Sequence, residues 1–177
     1  MANILVTGGA GYIGSHTCVE LLEAGHDVIV LDNLSNSSEE SLKRVQELTG
    51  KTLKFIQGDI RNQSDLDQIF SLYAIDAVIH FAGLKAVGES QQIPLTYFDN
   101  NISGSIQLVQ AMERANVFNL VFSSSATVYD EGNISPLDEL MPTGMPSNNY
   151  GYTKLIVEQL LEKLSIADGR WSIALLR

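Results

Sequence analysis

Cysteine, positive charge and long apolar runs are all scarce in this sequence, and each scarcity excludes a class of protein. The single cysteine, Cys18, rules out an internal disulfide and fits a reducing compartment, and its apolar helical surroundings predict a buried side chain. No apolar run is long enough to span a bilayer. Lysine and arginine number 11 against 21 aspartates and glutamates, which gives a net charge of −10. We therefore expect no binding to nucleic acid and no binding to a membrane surface.

The rest of the composition is that of an ordinary globular protein, with 45% hydrophobic and 18% charged residues. A chain of 177 residues suits one good core and is short for two domains, so we expect one domain over residues 1–177. The opening residues, "MANILVTGG", lead straight into a strand and a glycine turn. We therefore expect no signal peptide and a cytoplasmic protein.

Strand-like and helix-like segments alternate along the chain. Apolar runs predict six strands, at residues 3–8, 27–32, 53–59, 76–83, 119–125 and 171–177. Amphipathic segments predict helices at residues 12–25, 38–50, 64–74, 100–116 and 150–167. Strands that are apolar throughout are typical of a parallel sheet with helices on both faces. The sequence thus predicts a doubly wound α/β fold of the Rossmann type, with strand order 3-2-1-4-5-6.

Two further signals concern the connections between these segments. Gly25 and Gly50 stand where helix C-caps are expected. Residues 129–148 form the least regular region and contain prolines. A loop of that length in a compact domain is often functional.

A glycine-rich turn follows the first predicted strand and opens the first predicted helix. Gly9, Gly11 and Gly14 satisfy the pattern G-x-G-x-x-G, and Gly8, Gly11 and Gly14 satisfy G-x-x-G-x-x-G. In this context such glycines let the backbone approach a pyrophosphate, which the helix N-terminus then attracts. The turn predicts a dinucleotide site; a purely structural turn is the alternative.

Asp32 ends the second predicted strand, where a carboxylate can accept hydrogen bonds from both ribose hydroxyls of an adenosine. A 2′-phosphate at that place would meet a like charge. The nearest cations, Lys43 and Arg44, lie inside the next predicted helix. The sequence therefore favours NAD over NADP, with a turn or N-cap role for Asp32 as the alternative.

Tyr150 and Lys154 stand four residues apart at the start of the last predicted helix, so their side chains share a face, whereas Tyr152 points elsewhere. A cation is disfavoured at that end of a helix by the helix dipole. A free phenol has a pKa of about 10, too high for a general base at neutral pH. A nearby ammonium stabilises the phenolate by up to about 4 kcal/mol, equivalent to about three pKa units. In a dinucleotide fold the pair predicts a catalytic Tyr150 tuned by Lys154; a packing tyrosine beside a solvated lysine is the alternative.

Four motifs together resemble one family: "TGGAGYIGSH", "FAGLKAVGES", "FSSSATVY" and "NNYGYTK". They are similar to the extended branch of the short-chain dehydrogenase/reductase superfamily and, within it, to its UDP-sugar 4-epimerases. The glycine motif and Tyr-x-x-x-Lys specify only the superfamily, while the other two motifs are more specific. The resemblance covers the chain from Met1 to Arg177.

The resemblance implies an isomerase of galactose metabolism that interconverts UDP-galactose and UDP-glucose with tightly bound NAD and acts as a homodimer. Tyr150 would take the proton of the sugar 4-hydroxyl while NAD receives the hydride, and the 4-keto sugar would turn over before the hydride returns. Ser125 would hydrogen-bond the 4-oxygen, and Lys154 would tune Tyr150 and bind the nicotinamide ribose.

The same resemblance implies the contacts of the cofactor. They are Gly8, Gly11, Tyr12, Ile13 and Gly14 for the pyrophosphate; Asp32, Asn33, Asn36 and Ser37 for the adenosine ribose; Asp59 and Ile60 for the adenine; and Phe81, Ala82, Gly83, Lys85, Asn100, Ser125, Tyr150 and Lys154 for the remainder. Taken alone, Ser125 reads as a turn residue and Lys85 as a surface lysine. His80 ends an apolar strand and is expected to be a core histidine. His16 and His26 show no ligand spacing, so no metal is expected.

The sequence departs from the family pattern at two places. Asp130 follows Tyr129 where many relatives carry glycine. The chain stops at "WSIALLR", where the family continues into a substrate-binding region, so we expect this to be an N-terminal cofactor-binding portion with little or no epimerase activity alone.

Two other functions are considered. A sugar-nucleotide 4,6-dehydratase would carry an Asp-Glu pair where this chain has Ala126 and Thr127. A non-catalytic NAD-binding module is the second alternative.

Overall fold

The computed structural model describes residues 1–177 and contains one six-stranded sheet in the order β3-β2-β1-β4-β5-β6. Every pair of neighbouring strands is parallel. The predicted fold class and strand order are confirmed. The strands are β1 Asn3–Thr7, β2 Asp27–Asp32, β3 Lys54–Gln57, β4 Ala77–His80, β5 Asn119–Ser123 and β6 Ser172–Leu176.

The helices lie between the strands, and every predicted helix is present. They are α1 Tyr12–Glu23, α2 Glu39–Thr49, α3 Gln63–Leu72, α4 Val87–Gln92, α5 Pro94–Tyr97, α6 Gly104–Arg114 and α7 Asn149–Ala167, with a π-helical segment at Phe98–Ser103 and a 3₁₀ turn at Ala126–Val128. None of the helices is long and apolar enough to cross a membrane.

Two separate apolar clusters cover the two faces of the sheet. Alternate residues of β1 point to opposite sides, so Ile4 and Val6 pack with α1 and α2, including Cys18, in one cluster. Leu5 belongs to the other cluster, with residues of α3, α6 and α7. Because helices cover both faces, the central strands are apolar on both, as their sequences predict.

The helix ends follow the local sequence. Ser38, Asn62 and Asn148 cap α2, α3 and α7, each accepting a hydrogen bond from a backbone N–H of the first turn. Gly50 closes α2 at φ 63°, and Gly25 follows α1 at φ 86°, so both predicted C-cap glycines are confirmed. At the start of α1, Gly11 provides no side-chain cap, and the N–H groups there are left to another acceptor.

The helical run before α6 starts earlier than its pattern predicts. The prediction begins at residue 100, whereas α5 begins at Pro94 and continues through Phe98–Ser103 into α6. Phe98 and Gly104 at the two junctions both have right-handed helical dihedral angles, so the chain is helical throughout residues 94–114. The π-helical turns bring Asn100 and Asn101 into buried positions.

The end of β5 and the loop after it also differ from the prediction. β5 ends at Ser123, two residues short of the predicted end, because Ser125 caps the 3₁₀ turn that follows. Residues 129–148 are irregular, as predicted, and are closed at their base by an antiparallel bridge between Tyr129 and Thr143. Asp130 Oδ1 accepts a hydrogen bond from Gly132 N at 2.8 Å, which fixes the start of this loop.

Candidate functional site

A groove opens along the carboxyl ends of the strands, where the strand order reverses between β1 and β4. Open α/β sheets bind ligands at such a switch point. The groove is lined by Gly8, Gly11, Tyr12, Ile13, Gly14, Asp32, Asn33, Ser35, Asn36, Ser37, Gly58, Ile60, Phe81, Ala82, Gly83, Leu84, Lys85, Asn100, Ser123, Tyr150 and Lys154. Of the predicted site residues, the groove brings together all but Asp59 and Ser125.

The glycine turn is packed too closely against the backbone to admit side chains at Gly8 and Gly14. Gly8 has φ 71°, and a Cβ there would lie 2.6 Å from the backbone nitrogen of Ala82. A Cβ on Gly14 would overlap the carbonyl oxygen of Gly8. The turn and the uncapped end of α1 therefore form a backbone cradle whose free N–H groups and helix dipole suit a pyrophosphate.

Asp32 sits at the floor of the groove and is only 8% exposed. Its carboxylate accepts hydrogen bonds from Ala10 N at 3.0 Å, Leu34 N at 2.9 Å and Ser37 Oγ at 2.8 Å. It thereby joins the glycine turn to the loop after β2. The same contacts leave a negative charge at the place where an adenosine ribose is expected.

Asp59 does not line the groove, and its predicted contact with the adenine stays a prediction. Its carboxylate is engaged by Arg61 Nη2 at 2.8 Å and by Asn33 Nδ2 at 3.0 Å. The Arg61 guanidinium holds the pKa of that carboxyl well below its usual range. Arg61 also pairs with Asp99 of the π-helical segment at 2.8 Å. Asp59 thus orders the loop whose neighbouring residues, Gly58 and Ile60, do face the groove.

The loop after β4 is held by Asn101, a residue that no sequence motif marks. The Asn101 side chain accepts from Leu84 N at 2.8 Å and donates to Leu84 O at 2.9 Å. It also donates to Thr153 Oγ1 at 2.9 Å, and Thr153 Oγ1 donates to the carbonyl of Tyr150. Asn101 therefore ties the groove wall at residues 83–85 to the first turn of α7. Its neighbour Asn100, a predicted site residue, lines the groove and donates from Nδ2 to Asn101 Oδ1 at 3.0 Å.

Tyr150 and Lys154 share one face of α7 and both line the groove, as their spacing predicts. Tyr152 lies apart from them, with its ring 6.0 Å from the Phe98 ring. The backbone N–H of Tyr150 donates to Ser90 Oγ at 3.2 Å, which adds a contact from α4. The groove is thus lined by a phenol and an ammonium from one face of α7, near its start.

The Lys154 side chain is buried, with 6% exposure. Its Nζ donates to the carbonyl oxygen of Ser123 at 2.7 Å and lies 4.7 Å from the centre of the Phe122 ring. Burial lowers the pKa of Lys154 from 10.5 to about 8, and the Glu158 carboxylate opposes that shift. The hydrogen bond of Nζ goes to the end of β5 and not to the phenol, so the tuning of Tyr150 by Lys154 stays a prediction.

Ser125 is half-buried and lies outside the groove lining, where Ser123 takes its place. Its Oγ accepts hydrogen bonds from Thr127 N at 3.2 Å and Thr127 Oγ1 at 2.9 Å. With both acceptor positions used by Thr127, the hydroxyl proton of Ser125 is left to be donated to a ligand.

His80 is a core residue, as predicted. Its ring is 1% exposed and hydrogen-bonds Thr7 Oγ1 at 2.7 Å and Ser105 Oγ at 2.9 Å. Because Ser105 gives its own proton to the Asn101 carbonyl, His80 Nε2 must be the donor and Nδ1 the acceptor. Burial lowers the pKa of His80 to about 3, so the ring is neutral. No three His, Cys, Asp or Glu side chains are grouped to hold a metal ion.

The sheet topology, the glycine cradle and the groove at the switch point define a doubly wound α/β protein of the Rossmann type with a site shaped for a dinucleotide. The sequence matches the model of the NAD dependent epimerase/dehydratase family over residues 4–177. The chain belongs to that family.

Individual relatives are similar along nearly the whole chain. UDP-glucose 4-epimerase of Bacillus subtilis is 58% identical over 174 residues, which are 98% of this chain and 51% of that protein. UDP-glucose 4-epimerase of Yersinia pestis is 54% identical over 174 residues, which are 98% of this chain and 52% of that protein. The chain therefore spans about half the length of these relatives.

Solved structures agree with the fold. The crystal structure of UDP-glucose 4-epimerase from Bifidobacterium longum in complex with NAD+ and UDP is 48% identical and superposes with a TM-score of 0.97, covering 99% of this chain and 52% of that one. The enzyme from Stenotrophomonas maltophila, with bound NAD and formylated UDP-arabinopyranose, is 52% identical with a TM-score of 0.95, covering 100% of this chain and 52% of that one.

Proposed function

We propose that this chain is the cofactor-binding and catalytic part of a UDP-glucose 4-epimerase, an isomerase that interconverts UDP-galactose and UDP-glucose with bound NAD. The main support for the proposal is that the predicted dinucleotide site and the predicted catalytic pair line the same groove. Tyr150 and Lys154 open into the same groove that begins at the glycine cradle and Asp32. The similarity to UDP-glucose 4-epimerases at more than half identity supports the choice of reaction.

The residues of the groove fit NAD. The cradle of Gly8, Gly11 and Gly14 would hold the pyrophosphate, because these glycines line the groove and the N–H groups at the start of α1 have no side-chain cap. Asp32 would take the adenosine ribose and disfavour a 2′-phosphate. When bound, NAD supplies a hydride acceptor for carbon 4 of the sugar and later returns the hydride.

The chain's own residues would handle the proton. Tyr150 would act as the general base that takes the proton of the sugar 4-hydroxyl and later returns it. The Lys154 ammonium on the same helical face would stabilise negative charge on the phenol oxygen. Ser125, with its proton free, would donate a hydrogen bond to the 4-oxygen.

A dehydratase of the same family is the second candidate, and the structure disfavours it. Elimination of water needs an acid and a base beside the sugar, and the positions where the family resemblance implies them hold Ala126 and Thr127. Ala126 has no ionisable group, and the Thr127 hydroxyl is hydrogen-bonded to Ser125. Neither can serve as a carboxylate would.

We further propose that these residues are the N-terminal part of a longer protein, whose UDP-binding region lies outside residues 1–177. The longer protein would be a cytoplasmic homodimer of galactose metabolism. The coverage of about half of each relative supports this. Catalysis requires the sugar to be held near Tyr150, and a misplacement of about 1 Å can cost about a hundredfold in rate. The 177-residue chain alone should therefore bind NAD yet show little or no epimerase activity.

The test uses the longer protein incubated with UDP-galactose. The proposal predicts UDP-glucose as the product and no net formation of NADH, since the hydride is returned to the sugar. A 4-keto-6-deoxy sugar as the product would assign the protein to the dehydratases instead. NAD binding without either product would support the non-catalytic module.

A further inference from the structure

Helix α7 carries a second buried charge that the proposed reaction does not use. Glu158 follows Lys154 by four residues, so the two side chains lie on the same face of the helix. Glu158 is 1% exposed and Lys154 is 6% exposed. Glutamate and lysine are almost never buried unless they are paired, so both charges need an explanation.

Glu158 is held by Arg177, the residue that follows β6. Arg177 Nη2 lies 2.8 Å from Glu158 Oε2, and Arg177 Nε donates to both carboxylate oxygens at 3.2 Å. The guanidinium also lies 5.2 Å from the centre of the Tyr129 ring. This fork fixes the carboxylate against the end of the sheet and requires it to be ionised.

The surroundings of Lys154 on the other elements carry no negative charge. From β5 it meets the carbonyl of Ser123 and the ring of Phe122, and from β4 it faces the neutral ring of His80. On its own helix, Tyr150 lies one turn before it. The Glu158 carboxylate is therefore the counter-charge that opposes the cost of burying the ammonium.

We propose that Glu158 is a positioning residue that keeps Lys154 in its ammonium form at the floor of the groove, and that Arg177 holds Glu158 in place for this purpose. The inference rests on the proposed function, in which the charge of Lys154 acts on Tyr150. In this arrangement Glu158 supports the charge of Lys154, and Lys154 acts on Tyr150. The three residues follow one another at intervals of four along one face of α7.

The presence of Arg177 changes the expected effect of replacing Glu158. If Glu158 is replaced by glutamine alone, the Arg177 guanidinium loses the carboxylate that neutralises it, so its repulsion of the Lys154 ammonium is no longer offset and adds to the loss of attraction. If Arg177 is replaced as well, that repulsion disappears. The single variant should therefore disfavour the Lys154 ammonium more strongly than the double variant does, whereas general damage to the fold would give the opposite order.

The experiment is an NMR titration of the protein labelled with ¹³C at lysine Cε. The chain has six lysines, and Lys154→Met identifies the signal of Lys154. The signal should titrate near pH 8 in the native sequence. Glu158→Gln should move the midpoint down by about one pH unit. At pH 8 the ammonium fraction would then fall from about one half to about one tenth. The double variant Glu158→Gln/Arg177→Gln should fall between the two.

The matched control is Glu162→Gln, one turn further along α7, where the side chain is exposed. It should leave the midpoint of Lys154 unchanged. Midpoints that are equal in the native protein and in both Glu158 variants would overturn the proposal. If Glu158→Gln does not fold, the double variant gives the test: a Lys154 midpoint below the native value supports the proposal, and a midpoint equal to the native value overturns it. The titration needs neither substrate nor turnover, so a failure of the proposed epimerase activity would show separately.

Discussion

Replacing Asp32 with asparagine is expected to remove most of the preference for NAD over NADP, because it removes the charge that a 2′-phosphate would meet. The carboxylate is 8% exposed and is held by Ala10 N, Leu34 N and Ser37 Oγ, so it cannot easily move away from a ligand. Asparagine can keep its oxygen toward Leu34 N and Ser37 Oγ, but its NH2 group then faces Ala10 N and cannot accept that hydrogen bond. Because the lost hydrogen bond affects both cofactors, the ratio of the two affinities reports the change in charge.

The size of the effect follows from Coulomb's law. Two unit charges about 4 Å apart at an effective dielectric constant near 20 repel by about 4 kcal/mol. Since about 1.4 kcal/mol is a tenfold change in affinity, the ceiling on discrimination is about a thousandfold. The groove is open to solvent, and salt screens part of the repulsion, so we expect a ratio of roughly ten to a hundred.

The assay is isothermal titration of the protein with NAD and with NADP at one salt concentration. The native sequence should bind NAD more tightly, and Asp32→Asn should bring the two affinities within about a few fold of each other. Asp27→Asn removes the same charge from the exposed first residue of β2 and should leave the ratio intact. An unchanged ratio in Asp32→Asn, or native binding of NADP as tight as that of NAD, would refute the reasoning.

Three further predictions concern buried groups. Lys154→Met should raise the free energy of unfolding at pH 7 by up to about 3 kcal/mol while weakening NAD binding, because burial lowers the Lys154 pKa to about 8 from 10.5. In denaturant titrations that gain should shrink as pH rises from about 8 to about 10.5, where the unfolded state binds more protons; a gain independent of pH contradicts this. His80 has a pKa lowered to about 3 from 6.5, so stability should be lost as pH falls through that range by about 1.4 kcal/mol per unit, and His80→Gln should flatten the slope. An equally steep slope in that variant would show that His80 is not the cause. Gly14→Ala should abolish NAD binding because its Cβ would overlap Gly8 O, whereas Gly88→Ala, where a Cβ meets nothing within 4 Å, should bind normally. NAD binding that survives in Gly14→Ala would count against the cradle.

Most of the fold is predictable because its signals are local. The strands are runs of Val, Ile and Leu buried on both faces, and the turn at Gly8 to Gly14 stands directly between a strand and a helix. The spacing of Tyr150 and Lys154 places both in the groove, since four residues bring side chains to one helical face. Each of these inferences needs only a short stretch of sequence.

The missed features depend on contacts between distant residues. Asn101 hydrogen-bonds both Leu84 and Thr153, and the sequence around residue 101 predicts neither contact. The pairing of Glu158 with Arg177 likewise requires α7 and β6 to be placed side by side. The helices at 87–92 and 94–97 are too short for a helical repeat of apolar residues to be recognised in their sequences.

Tyr150 is proposed to be the proton acceptor of an epimerase, and the rate of conversion of UDP-galactose to UDP-glucose by the longer protein tests this role most directly. Tyr150→Phe should retain NAD binding and lose about a hundredfold to ten-thousandfold in kcat, because only the hydroxyl is removed. Tyr152→Phe, two residues on and packed near Phe98, is the matched control and should keep nearly normal turnover. Near-normal turnover by Tyr150→Phe would contradict the account and would require Ser125 or a water molecule to be the base.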